Sequence, residues 1–181
     1  IRDLPAGESG EAVDAVSEAM LMVDILDFVA ADSILMIGVT LAGLLLAALL
    51  AFRNPRRMLL LILTIGISIF VALGMIELFE ISFNFINVLI WPIWLGLGVD
   101  AAFHLMIRSE ESPGDLAGFM GTTSAVAAAF GTSMIGFGSM LITDHQGLAS
   151  LGAVAVVGLA SIFVCSVLVQ GFVFAGTLRR A

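Results

Sequence analysis

Apolar residues fill this chain in long unbroken runs, parted by short clusters of charge, proline or glycine. Runs of this length read as helices that cross a bilayer, whose hydrocarbon core takes about 20 helical residues to span. Five are predicted, at about 33–52, 58–78, 86–107, 116–142 and 148–178. "RNPRR" separates the first two as a charged, proline-broken turn. "RSEESPGD" parts the third from the fourth, and Ser112, Pro113 and Asp115 are expected to give the fourth an N-cap, a first-turn proline and an N-terminal acid. "TDHQG" leads into the fifth, which is long enough to tilt or to project beyond the bilayer.

Residues 1–32 follow another pattern. Asp3, Glu8, Glu11, Asp14, Glu18, Asp24, Asp27 and Asp32 alternate with Val13, Val16, Met20, Val23 and Leu26 at helical spacing. This predicts an external amphipathic helix, the end of an external (periplasmic) domain, entering the first span. The expected fold is therefore all-α: a polytopic transmembrane bundle of five spans over 33–181, preceded by that external segment.

Composition agrees with the pattern. The 181 residues are 60% hydrophobic and 12% charged, with a mean hydropathy of +1.14, values that exclude an ordinary water-soluble domain. There is no lysine, and Arg53, Arg56, Arg57, Arg108, Arg179 and Arg180 all fall on alternate separators or ends, with Arg2 alone on the other side. The positive-inside bias makes the arginine side cytoplasmic, the N-terminus external and the C-terminus internal. A net charge of -8 excludes nucleic-acid partners, which need clustered basic residues. The start at Ile1, with no signal peptide ahead of the acidic helix, suggests a fragment of a longer protein. Cys165 is the sole cysteine; it reads as packing, and neither a metal site nor a cofactor is expected. Glu77, Glu80, Asp144 and His145 read as solvated external helix ends.

Against this background Asp100 stands out, because it lies well inside the third span. An acid at the centre of a span costs about 2.5–3.5 kcal/mol on insertion scales and is tolerated mainly where it faces a bundle interior or a wet cavity. Its bland role, a hydrogen bond to a neighbouring helix, returns only about 0.6 kcal/mol on average, less than the cost. A low dielectric also favours the neutral form of a carboxylic acid, which brings proton exchange within reach of ordinary conditions. His104 lies one helical turn on and Gly96 one turn back, so one stripe carries Gly96, Asp100 and His104. The carboxylate and imidazole are expected to pass a proton, the alternative being that His104 reaches the headgroups near Arg108. Gly96 and Gly98 admit close approach of another backbone, and Pro92 is expected to bend the outer half of the helix. Trp91 and Trp94 read as interface and packing residues. The fourth span is crowded with Gly, Ala, Ser and Thr; Thr132, Ser133, Gly136 and Ser139 are expected either to support the relay from across the helix pair or to serve helix packing, the hydroxyls otherwise bonding their own backbone.

Two stretches, "GLGVDAAFHL" and "GTSMIGFGSMLITDHQGLASLG", together resemble the resistance-nodulation-division superfamily in its MMPL-type exporter branch, related to Patched-like and Niemann-Pick-type sterol transporters. The resemblance covers about 33–178. It implies that the chain is the tail of an external domain plus the last five spans of one half of a transporter, whose other parts are a first span, the external domain and a second half. It further implies proton-driven export of lipids or other hydrophobic molecules across a bacterial inner membrane, with Asp100 at the relay acid and His104 at a histidine common one turn later. One departure is that Ala101 and Ala102 follow the acid where relatives often have tyrosine, and this chain has none. The expected partners are membrane lipids, protons, a hydrophobic substrate and the rest of the transporter; no enzymatic activity is expected. Two other functions compete. A sterol- or lipid-sensing module without transport would use the same five spans. An intramembrane aspartyl protease is suggested by "GLGVD", but its motif spacing differs by one residue and it needs two facing aspartates.

Overall fold

The computed structural model describes residues 32, 34–43, 46, 49, 54–82, 84–112 and 114–178. Every regular element among them is helical, as the apolar runs predict. The first helix, α1, is described over Ile34–Gly43; the rest of the first predicted span apart from residues 46 and 49, the acidic segment 1–31, Arg53, Pro113 and the arginines at 179–180 lie outside the described residues. Four helices are long and apolar enough to cross a membrane: α2 (Pro55–Leu78), α3 (Ile90–Glu111), α4 (Leu116–Gly138) and α5 (Gln146–Leu178).

Their ends follow from local chemistry. Asn54 caps α2 by accepting from the Arg56 amide at 3.0 Å, and Pro55 takes the first helical position, where its missing N–H costs nothing. At the other end Ile81 N–H donates to Ile76 O and Glu80 N–H to Glu77 O. This is a Schellman closure, and its left-handed residue is Glu80, with φ 52°. A 3-10 turn over Phe85–Leu89, capped by Asn84, then feeds α3. Pro92 sits in the first turn of α3, where amides have no intrahelical partner, so it shapes the entry rather than bending the helix.

Two boundaries differ from expectation. The polar "RSEE" continues α3 by another turn to Glu111, because charged residues project freely into the headgroup region while the backbone remains hydrogen-bonded. Ser112 therefore closes α3, and the cap of α4 is Asp115 itself, whose carboxylate accepts from Gly118 N–H at 3.0 Å. The fourth span ends in a 3-10 turn over Ser139–Ile142, so the run 116–142 is one α-helix with a tightened last turn.

α5 is the axis of the bundle and packs against α2, α3 and α4. The largest core brings Ala72 and Ile76 of α2, Trp94 and Ala101 of α3 and Val126 and Phe130 of α4 onto Val154, Leu159 and Ile162 of α5. A second core joins Leu61, Ile65, Leu95, Ala102 and Met106, with Ile37 of α1 packed against it. Ion pairs gather at one end: Arg57 at the start of α2 meets Glu110 at the end of α3 at 2.6 Å, and Arg108 pairs with Asp115 at the start of α4. The described arginines thus share an end, as alternate separators must. At the opposite end the fully buried Asn87 donates to Ser82 O at 3.2 Å and to Ser150 Oγ at 3.0 Å, tying the α2–α3 connection to the start of α5.

Candidate functional site

Asp100 occupies the middle of α3, about 15 Å from either end of the helix at 1.5 Å per residue. His104 Nε2 lies 3.2 Å from Asp100 Oδ1, one turn apart on the same face. The i,i+4 spacing sets this pairing, since helical side chains at that separation stand one above the other. The imidazole also meets Phe103 edge-on at 6.3 Å between centroids.

The other described helices do not enclose the pair. The Asp100 side chain is 67% exposed and that of His104 60%, and Gly96 is exposed on the same stripe. The opposite side of α3 carries Trp94, Leu95, Gly98, Ala101, Ala102 and Leu105, all buried. The helical period thus puts Gly96, Asp100 and His104 on one stripe, and that stripe lies on the side of α3 away from the core of the described residues. Gly98 serves close packing: a β-carbon there would stand 3.1 Å from Ile162 Cγ2 of α5. Gly96 has nothing within 4 Å of its β position and leaves open space beside the carboxylate.

The hydroxyls of α4 do not reach α3. Thr132 Oγ1 and Ser133 Oγ donate to Ala129 O at 2.8 and 3.0 Å, and Ser139 Oγ donates to Gly136 O at 2.7 Å. Such back-bonding satisfies a hydroxyl in an apolar medium without a partner helix. Gly136 likewise has open space around it. α4 buries only Phe119, Val126 and Phe130, a narrow seam, and turns Gly121, Ala125, Ala128, Thr132 and Gly136 outward. Among the described residues, an acid in the interior of α3 and an outward face of α4 rich in small residues are both uncovered.

Among the buried polar residues that the apolar pattern does not single out are Gln170 and Asn87. Gln170 is fully buried in α5 and donates from Nε2 to Thr64 Oγ1 of α2 at 3.3 Å. The signal was the one that exposed Asp100, a strongly polar side chain inside an apolar run. Asn87 lies at the apolar start of the third predicted span, and only the 3-10 turn reveals it as a tether. Cys165 is buried and free, in keeping with a packing role. Among the described residues no group of three or more His, Cys, Asp or Glu is placed to hold a metal ion.

Comparison with known proteins agrees with this architecture. A protein of Methanocaldococcus jannaschii named as a membrane protein, MJ1562, is 30% identical over 130 residues, which is 67% of this chain and 34% of that protein. The chain therefore spans about a third of its relative's length. No solved structure matches it. The MMPL family profile matches residues 2–170, nearly the whole sequence and all four bilayer-length helices up to the last turns of α5, and the chain belongs to the MMPL family.

Proposed function

We propose that this chain is the membrane-embedded part of a proton-driven exporter of hydrophobic molecules, and that Asp100, with His104, is where the proton is taken up and released. The observation that carries the reading is the pair itself: a carboxylate and an imidazole 3.2 Å apart in the interior of α3, on a face that the described residues leave uncovered. Lipid tails are a poor cover for that face, because a central acid costs about 2.5–3.5 kcal/mol there. Since the chain spans 34% of a relative's length, the remaining part of the transporter is the natural cover, and it supplies the low-dielectric surroundings in which gaining a proton changes the stability of the helix contact.

The cycle follows from charge. An ionised Asp100 beside a protonated His104 forms a compact ion pair, and a neutral Asp100 loses that attraction. Each change alters how firmly α3 holds whatever covers it. One proton crossing the full field is worth about 2.3 kcal/mol per 100 mV, which suffices to bias a helix rearrangement of a few kcal/mol. The absence of tyrosine leaves His104 as the exchanging neighbour within this chain. The arginine-bearing end faces the cytoplasm in this reading, by the positive-inside bias.

The decisive variant is Asp100→Asn in the intact transporter. Loss of export with normal membrane insertion is the expected result; full export would refute the relay. A lipid-sensing role finds support in an apolar groove of about 430 Å³ between α4 and α5, lined by Leu116, Phe119, Met120, Val167 and Phe174. Sensing without transport predicts lipid binding in that groove that is indifferent to Asp100→Asn. For a protease, two facing aspartates are required; Asp100 pairs instead with a histidine.

A further inference from the structure

A second polar cluster lies between α2 and α5, away from Asp100. Thr64 and Ser68 stand one turn apart on α2, and Ser166 and Gln170 one turn apart on α5; all four are buried, at 0%, 1%, 1% and 0% exposure. Gln170 Nε2 donates to Thr64 Oγ1 at 3.3 Å, and Thr64 Oγ1 in turn donates to Leu60 O at 2.7 Å. Ser68 Oγ donates to Thr64 O at 2.7 Å, and the buried Cys165 precedes Ser166 in α5. The chain of bonds then stops. Gln170 Oε1 and Ser166 Oγ, on the same face of α5, have no partner and almost no accessible surface.

Thr64 lies about 13 Å along α2 from its first residue, well inside an apolar bilayer. No bulk water relieves an orphan carbonyl at that depth, so leaving one unpaired is costly. The cluster contains no carboxylate, amine or guanidinium, so a cation has no counter-charge there and a neutral donor fits. Water has the chemistry that both orphans lack: an O–H serves the Gln170 carbonyl, and the oxygen or the second O–H serves the Ser166 hydroxyl, within the two to four partners that buried waters usually find.

We infer that the seam between α2 and α5 is a water-binding site, which takes up water between Gln170 and Ser166 when the two helices part and expels it when they close. The closed packing is the arrangement described above, in which both orphan atoms are sealed. Each opening exchanges two unpaired polar atoms for two hydrogen-bonded ones, and this offsets part of the packing lost along the longest helix pair of the bundle. The inference does not depend on Asp100 and holds for any function that moves α2 against α5.

Cys165 provides the reporter, since it is the single cysteine of the 181 residues, is buried and adjoins Ser166 in α5. The intact protein, with any cysteine outside these residues replaced by serine, is placed in lipid vesicles and transferred to D2O. The S–H stretching band of Cys165 is then followed by infrared spectroscopy. Conversion to S–D within minutes is expected, slowed about tenfold or more by Ser166→Ala and by Gln170→Met, because water no longer finds its partners. Ser166→Ala alone carries the comparison if Gln170→Met fails to insert. An S–H band that persists for hours in the unsubstituted protein, or exchange that is unchanged in Ser166→Ala, would overturn the inference.

Discussion

A β-carbon on Gly158 would stand 1.9 Å from Cζ2 of Trp94, so the indole of α3 fills the space that any larger residue of α5 would claim. Trp94 is completely buried there, and its seat fixes the crossing of the two helices. Gly158→Val is expected to lower stability by about 1–3 kcal/mol through overpacking, seen as an earlier thermal unfolding midpoint in detergent. Trp94→Leu opens the same space, so the double variant should lose less than the two single losses combined. Strict additivity would show that the two residues do not share this contact.

The tether at the opposite end makes a different kind of prediction. Asn87 holds Ser82 O and Ser150 Oγ together, and Ser150 Oγ itself donates to Ser82 O. Asn87→Ala deletes both bonds and leaves a hole, at a cost of about 1–3 kcal/mol. The loss should be local. Amide hydrogen exchange should accelerate across 82–89 while the interiors of α2 and α5 keep their protection, and uniform acceleration throughout the bundle would contradict this placement.

Glu80 offers a chance to stabilise the fold. It occupies the left-handed position of the Schellman closure of α2, where a side chain bearing a β-carbon costs about 1–2 kcal/mol relative to relaxed backbone. Glycine meets no such penalty and is the residue most often found there. Glu80→Gly should therefore raise stability by about 1 kcal/mol, measured as a later unfolding midpoint. A decrease would mean that the Glu80 side chain makes a stabilising contact that outweighs the backbone strain.

The fold was legible in the sequence for a simple reason. Bilayer spans announce themselves by length and apolarity, and the boundaries at Leu78, Leu116 and Leu178 follow directly from where polar residues begin. The errors arose where a charged residue does not stop a helix: Glu110 and Glu111 continue α3 because their side chains reach the headgroup region. The stripe of Gly96, Asp100 and His104 was legible from the helical period alone. Which side of that stripe meets other helices was not, because it depends on how α5 seats against α3, and this is set by Gly158 and Trp94 at positions 64 residues apart. Of the two roles open to Thr132, Ser133 and Ser139, the structure shows bonding to their own helix carbonyls; a hydroxyl can bond its own carbonyl in any helix, and only the seam of Phe119, Val126 and Phe130 shows which side of α4 meets the core.

That outward face of α4 gives the sharpest test of how the chain is used. Ala128 is exposed among Gly121, Ala125, Thr132 and Gly136, a run of small residues that lets another helix approach closely. Phe70 of α2, 79% exposed, is already bulky and reads as lipid-facing. Ala128→Trp should change the stability of this bundle by no more than about 0.5 kcal/mol, as expected of a surface position, and the same holds for Phe70→Trp. In the intact transporter the two should diverge. Ala128→Trp is expected to depress export as severely as Asp100→Asn, because the indole holds off the helix that covers this face, whereas Phe70→Trp leaves export near its normal level. If both tryptophan variants export equally well, the face meets only lipid, and the small residues of α4 have no role in assembly.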